Sequence, residues 1–214
     1  MADRVDRLLA FDAECSRQGA LRLAGVDEAG RGCWAGPVVA AAVLLPAGWA
    51  PAGLDDSKRL SPERRDQLFT EIRTGAVAWG ACAVDAATVD RLNVLAATLA
   101  AMARAVVKLA VRPDLVLVDG LQVPDVACEA RPLIKGDGTS AAVAAASVVA
   151  KVLRDRIMVA WDRRFPGYGF AAHKGYGAAV HREALHRLGP CTLHRRSYRP
   201  VAELAQGRLW NDPC

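Results

Sequence analysis

The sequence predicts a mixed α/β domain with a helical C-terminal part, and three observations carry that expectation. Short apolar runs of strand length recur at 21–27, 37–45, 77–84, 115–118 and 126–134. Between several of them lie segments whose apolar residues step by three or four, the helical period. The intervals are hairpin-like in some places and long enough for a crossover helix in others, so the sheet should mix antiparallel and parallel pairs.

Taken in order, residues 1–19 are charged, with Val5, Leu8 and Leu9 at roughly helical spacing, and read as an amphipathic extension. Strands at 21–27 and 37–45 follow, the second opening on Pro37, which is tolerated at a strand start. The Pro-, Gly-, Asp- and Lys-rich stretch 46–60 is a surface loop. Ser61-Pro62 then reads as an N-cap with proline in the first helical position, opening a helix to about Thr74. After the strand at 77–84, Asp85 to about Val111 is helical with a break near Leu92-Asn93. The apolar strand 115–118 ends on Asp119-Gly120, and Lys135-Gly136-Asp137-Gly138 is a turn. A long helix starts near Thr139, with Ala146, Ala150, Leu153, Ile157 and Trp161 on one face, and Phe165-Pro166-Gly167 stops it. A Gly/Tyr/His-rich loop at 167–177, a helix from about Ala178 to Leu188 and an irregular tail complete the chain.

Composition narrows the function classes. The 214 residues suffice for a substantial core, and 52% hydrophobic with 24% charged residues is a globular mixture. A formal net charge of +5 suits a polyanionic partner, although a merely basic protein has the same balance. Six scattered cysteines without a CxxC pair fit neither a zinc site nor a disulfide framework, and reduced thiols in a cytoplasmic protein are expected. No segment has the length or apolarity of a signal peptide or membrane span. The spacing of His173, His181, His186 and His194 does not suit a shared metal, and the five tryptophans fall in separate elements. Both sets are assigned to core and surface.

The acids are less ordinary. In LRLAGVDEAGRGCWAG, an apolar run ends on Asp27 and Glu28, and Gly30-Arg31-Gly32 follows. Asp119 closes LVLV, and Asp137 stands between two glycines just ahead of a helix. Carboxylates at strand ends and helix starts repel one another unless a cation lies among them. Four oxygen donors with no histidine at ligand spacing fit Mg²⁺ or Mn²⁺ better than zinc. Adjacent Asp27 and Glu28 point to opposite faces of a regular strand, so both serve one centre only if the strand ends or bulges there. Glycines flanking an arginine admit a bulky group and supply donors suited to a phosphodiester.

These residues also amount to a resemblance. GVDEAGRG with Gly36-Pro37, Asp56-Ser57-Lys58, Leu117-Val118-Asp119-Gly120 and Lys135-Gly136-Asp137 through Ala144-Ala145-Ala146-Ser147 to Ala150-Lys151 occur in that order. Phe165-Pro166-Gly167-Tyr168-Gly169-Phe170, His173-Lys174-Gly175-Tyr176-Gly177, Gly189-Pro190 and HRRSYRPV at 194–201 follow. Together they resemble the bacterial ribonuclease HII family over roughly residues 21 to 201. The resemblance implies an RNase H-like mixed sheet flanked by helices, a catalytic domain at 20–201, and separate segments at 1–19 and 202–214. It implies hydrolysis on the 5′ side of ribonucleotides in RNA–DNA hybrids, including single ribonucleotides embedded in duplex DNA, leaving 3′-hydroxyl and 5′-phosphate ends. Asp27, Glu28, Asp119 and Asp137 match the metal-holding carboxylates, with two Mn²⁺ or Mg²⁺ ions expected. Gly30, Arg31 and Gly32 match the segment that senses the ribose 2′-hydroxyl, and Tyr176 matches the tyrosine that stacks on the next sugar. Ser57, Lys58, Ser147 and Lys151 are further substrate-binding candidates, although Lys151 can equally pair with Asp155. Two departures stand out, Ala178 where threonine is common and Tyr198 where phenylalanine is usual. A monomer with no membrane contact is expected. Two rival functions use the same residues: a nuclease for ordinary DNA, disfavoured by Gly-Arg-Gly, and a non-catalytic hybrid-binding protein, disfavoured by the full set of acids.

Overall fold

The computed structural model describes residues 4–209. A helix, α1 (Arg4–Arg17), precedes β1 (Leu23–Ala29) and β2 (Val38–Leu44). Next come α2 (Pro62–Gly75), β3 (Ala78–Val84), α3 (Ala86–Leu92), α4 (Val94–Val107), β4 (Leu115–Asp119) and β5 (Glu129–Leu133). A single 3₁₀ turn at Gly136–Gly138 leads into α5 (Ala141–Arg164), and α6 (Phe170–His173), α7 (Ala179–Leu188) and α8 (Arg199–Leu209) complete the chain. The five strands lie in the order β3-β2-β1-β4-β5, antiparallel across β3, β2 and β1 and parallel across β1, β4 and β5. That is the mixed sheet the spacings predict.

Local chemistry explains where the helices begin. Ser61 caps α2 by accepting from Arg64 N at 3.2 Å, with Pro62 in the first turn. Asn93 breaks the predicted 85–111 helix: it adopts φ +70°, and its Oδ1 accepts from Leu95 N and Ala96 N, both at 3.0 Å. α4 then ends at Val107, four residues short of the prediction, and the chain turns toward Pro113 and β4. Ser140 caps α5 through Val143 N.

β2 is buried along its whole length because helices cover both faces of the sheet. Ala24, Val26, Ala40 and Val118 pack with Ala101, Met102 and Ala105 of α4 on one face. On the other, Ala41 and Val43 meet α5, with Leu68 and Ile72 of α2 and Leu8 of α1 behind it. Residues 141–150 of α5 are buried on every side, so its predicted apolar stripe is distinct only in the later turns. The reason is close approach: a Cβ at Gly25 would lie 2.1 Å from Ala142 C and Val143 N, and the alanines bring the helix backbone onto β1.

Two expectations are corrected. β1 does not end or bulge at Asp27; pairing with β2 continues regularly through Glu28↔Ala40 and Ala29↔Val39, since small residues on β2 accept both neighbours. The tail is not wholly irregular either. Pro200 sits in the first turn of α8, where its missing N–H costs nothing, and Val201 is fully buried. Residues 1–3 and 210–214, and with them Trp210 and Cys214, lie outside the described residues. Five described cysteines are free thiols, and among the described residues no helix is long and apolar enough to cross a membrane.

Candidate metal and nucleic-acid site

Strand parity sorts the acids. Along β1, Ala24 and Val26 face α4 whereas Gly25 and Ala29 face α5, which places Asp27 on the α5 face and Glu28 on the α4 face. On β4, Val116 and Val118 face α4, so Asp119 shares Asp27's side, and the Val26↔Val118 pair sets the two aspartates next to each other. The turn after β5 returns Asp137 to the same corner, because Gly136 N donates to Asp119 Oδ1 at 2.7 Å. Asp27, Asp119 and Asp137 thereby bring one carboxylate oxygen each within 4.8 Å of one another, with Asp27 and Asp137 buried. Among the described residues this is the only such cluster of ligating side chains.

Glu28 lies at the rim of that corner. Its Oε1 is 3.4 Å from Arg31 Nη1, yet Asp119 is close enough to push its carboxyl up. Burial is the largest cause of the upward shift at Glu28, and Arg31 partly offsets it. Asp27 is pushed well above the usual carboxylate range by burial first and then by Glu28 and Asp119, against donation from Glu28 N at 2.7 Å and from Ser147. Burial, Asp119 and Asp56 raise Asp137. Mutually repelling, buried oxygen donors are the set a hard divalent cation satisfies, so the residues present fit such an ion.

The other predicted site residues surround this corner at different distances. Lys58 is exposed and places Nζ 3.6 Å from Asp137 Oδ2. Ser147 Oγ and Ser57 Oγ share a hydrogen bond at 2.7 Å, and both serines are buried, with Ser147 bonded to Asp27. Lys151 forms the alternative ion pair with Asp155, at 2.7 Å, while its Nζ also lies 5.9 Å from the Tyr176 ring centre. Tyr176 is 44% exposed, with its hydroxyl bonded to Cys33. Arg31 and Gly32 are exposed, and no described hydrogen bond uses their amide N–H groups. Gly30 has φ +97°, and a Cβ there would lie 2.0 Å from Arg154 Nε, so no other residue fits this backbone.

Several contributors escaped the sequence reading. Asp56, seen only as part of a matching triplet, hydrogen-bonds Asp137. Arg154 is fully buried, donates to Pro37 O at 3.0 Å and Ala35 O at 3.2 Å, and faces the Tyr176 ring at 5.6 Å. Arg195 is likewise buried among backbone carbonyls. Their spacing in the chain carries no signal; only the run HRRSYRPV hinted at Arg195. The histidines divide between core and surface as expected, with His181 and His194 buried and His186 exposed, but His173, His181 and His194 cluster, with His173 and His181 stacked at 4.3 Å.

Comparisons with known proteins agree with this fold. A ribonuclease H2 structure from Pyrococcus horikoshii OT3 superposes with TM-score 0.75 at 24% identity, covering 89% of this chain and all of that one. Bst-RNase HIII in complex with Mn²⁺ gives TM-score 0.74 at 19% identity, over 90% of this chain and 71% of that one. Ribonuclease HII of Moorella thermoacetica is 53% identical over 197 residues, 92% of this chain and 96% of the relative. The family model described as Ribonuclease HII matches residues 24–201, and with the acidic corner inside that span the chain belongs to the ribonuclease HII family.

Proposed function

We propose that the protein is an endoribonuclease that hydrolyses the phosphodiester on the 5′ side of ribonucleotides in RNA–DNA hybrids, including a single ribonucleotide embedded in duplex DNA. The products carry a 3′-hydroxyl and a 5′-phosphate. The reading rests on one observation above all: three carboxylates within 4.8 Å, beside a glycine-flanked loop with two unused amides, in a chain of the ribonuclease HII family. That family cleaves the RNA of RNA–DNA hybrids. We place the enzyme in the cytoplasm, acting as a monomer.

Asp27, Asp119 and Asp137 would hold the cation, with Glu28 completing a second position from the rim; two Mn²⁺ or Mg²⁺ ions suit this oxygen-only set. When bound, such ions supply an acidified water and positive charge at the phosphodiester. The chain's own residues do the reading. The free N–H groups of Arg31 and Gly32 can donate to a 2′-hydroxyl, which is absent from DNA. Arg31 is exposed and only loosely paired with Glu28, so its guanidinium can turn to a phosphate in bidentate fashion. Tyr176 offers its exposed face to the neighbouring sugar. Lys58 brings a cation to the acidic edge without occupying it.

The test is an incision assay on three matched duplexes, all-DNA, single-ribonucleotide and continuous hybrid, with Mn²⁺, Mg²⁺ or EDTA. Cutting at the phosphodiester directly 5′ of the ribonucleotide, dependent on metal and absent from all-DNA, is expected. Equal cutting of all-DNA would point to an ordinary DNA nuclease, and binding without nicking in Mn²⁺ to a hybrid-binding protein.

A further inference from the structure

Two consecutive residues outside the acidic corner reach both halves of the ribose-facing surface. Arg195 is fully buried, and its guanidinium donates to Gly30 O at 2.8 Å, Arg31 O at 2.7 Å and Gly36 O at 2.9 Å. Its own amide donates to Trp34 O at 2.8 Å. Tyr198 adds its hydroxyl to Arg31 O at 2.5 Å and accepts from Arg195 Nη1 at 3.0 Å. Among the described residues no acid lies at salt-bridge distance from Arg195, so carbonyl dipoles and Tyr198 meet its charge.

Peptide planarity turns this into an aiming device. In a trans peptide the C=O and the following N–H point in opposite directions. With the carbonyls of Gly30 and Arg31 drawn inward by Arg195, the N–H groups of Arg31 and Gly32 are turned outward, and these are the two amides left unused.

His194 holds the other half. Cys191 N donates to His194 Nδ1 at 3.0 Å, so the proton of a neutral His194 resides on Nε2. That Nε2 faces His181 Nε2 at 3.1 Å, which must accept, leaving the His181 proton on Nδ1, 2.8 Å from the backbone oxygen of Tyr176. Burial keeps both rings neutral, pulling each down to about 4. His173 ties the same loop, accepting from Gly175 N at 3.1 Å, and Trp34 N donates to Gly175 O at 2.9 Å to join the two loops directly.

We propose that His194 and Arg195 are positioning residues that act as one unit, aiming the Arg31 and Gly32 amides and the Tyr176 ring at the same nucleotide and so setting how well the site recognises a ribose. The proposal rests on the ribonucleotide-directed function above. It extends to residues that touch neither the acids nor the exposed loop surface.

Steady-state nicking of the single-ribonucleotide duplex tests it, with Arg195→Lys, Tyr198→Phe, His194→Gln and His194→Phe beside the wild type. Lysine keeps the charge and loses the fork that spans three carbonyls. Arg195→Lys should raise KM about tenfold with kcat changed less than about threefold, the size of one misdirected hydrogen bond to substrate. Tyr198→Phe should raise KM by a smaller factor, and His194→Gln, which keeps a donor and an acceptor, should stay closer to wild type than His194→Phe. Mn²⁺ affinity measured by calorimetry should be unchanged throughout, since the acidic corner is untouched. Unaltered KM with kcat falling only as the folded fraction falls would show a purely structural role and overturn the proposal. If Arg195→Lys does not fold, unaltered KM in both Tyr198→Phe and His194→Phe overturns it instead. A wild-type protein that does not nick this duplex refutes the functional reading, whereas nicking that all variants perform with wild-type KM refutes this inference alone.

Discussion

At the open ends of β1 and β4 the protein buries acids whose nearest charged company is largely other acids. Behind the Gly30–Gly36 loop it buries two arginines and a set of neutral histidines, almost every polar atom of which meets a backbone group or a ring nitrogen. Both regions take ionisable side chains out of water, which is costly unless the charge is compensated or neutralised. The second region is nearly self-sufficient: carbonyl oxygens meet both arginines, Arg154 Nη1 alone being left without a hydrogen-bond partner among their described atoms, and His181 and His194 give up their charge. The acidic corner is left with raised carboxyls and only Lys58 and Arg31 nearby, both largely exposed. A region complete in itself supports structure, whereas one left electrostatically unfinished is completed by a ligand.

The largest expected effect breaks the acidic side. Asp119→Asn keeps an oxygen for Gly136 N but removes one ligand charge, and incision should fall by about a thousandfold or more, reflecting several kcal/mol of lost charge stabilisation. In EDTA the same variant should melt at or above the wild-type temperature, because a repelling carboxylate has gone. Thermal melts beside the incision assay check both; a large fall in metal-free melting temperature would show Asp119 to be structural. Asp27, Glu28 and Asp137 have raised carboxyls, so the metal-free fold holds their protons more tightly than the unfolded chain does and loses stability as pH rises through their folded values. Added Mn²⁺ should therefore raise the melting temperature by more as pH rises through those folded values, and an increment that stays constant from the ordinary carboxylate range upward would argue against these groups as its ligands.

On the histidine side the sign reverses. His181 and His194 are held near 4, below the ordinary imidazole value, so the stability they contribute is present above about pH 6.5 and lost as pH falls toward 4. His181→Phe should cost about 1–3 kcal/mol at pH 7, since the His194 Nε2–H is left without its acceptor. The variant should also lose less stability than the wild type between pH 7 and pH 5, which denaturant titration at the two values would show. Equal losses would mean that the histidines do not titrate with unfolding.

The two sides also differ in how far the sequence exposed them. Asp27, Asp119 and Asp137 were legible because each interrupts an apolar run or a glycine turn, where a carboxylate has no packing reason to be. The strands and the break at Asn93 were legible for the same local reasons. Glu28 shows the limit: its position beside Asp27 is visible, but its side of the sheet depends on β1 keeping its pairing to Ala29, a property of β2 as much as of β1. Arg154 and Arg195 lie on opposite sides of the C-terminal loops and satisfy carbonyls more than a hundred residues away. An arginine whose partners are backbone oxygens leaves no compositional mark on those partners. α8 was missed although Val201, Leu204 and Ala205 stand at helical spacing, because so short an apolar pattern after Pro200 does not set a helix apart from a loop.

Asp12 offers the smallest effect and the cleanest control, because it is a buried acid in neither region. It projects from α1 to the start of α5, where Oδ2 accepts from Ala142 N at 3.0 Å while Oδ1 is buried without a hydrogen-bond partner among the described residues. Burial, partly offset by bonds from Ser140, Ala142 and Ala141, lifts its carboxyl to about 6. No other acid is among those causes, so Asp12 reports the desolvation that the metal corner shares without the mutual repulsion. With a folded value near 6 against 3.8, the group favours folding fully at low pH and loses that contribution as pH rises between the two. Asp12→Asn carries no proton to lose and keeps an oxygen for Ala142 N. Its stability relative to wild type should therefore climb from pH 4 to pH 6.5, by on the order of 1 kcal/mol after allowance for partial exposure. The climb should be the same with and without Mn²⁺, as the site is remote from the acidic corner. Melting curves for the two proteins that run parallel across that range would mean that burial alone does not hold a proton on a carboxylate here, and Asp27, Glu28 and Asp137 would then owe their raised carboxyls to the neighbouring acids.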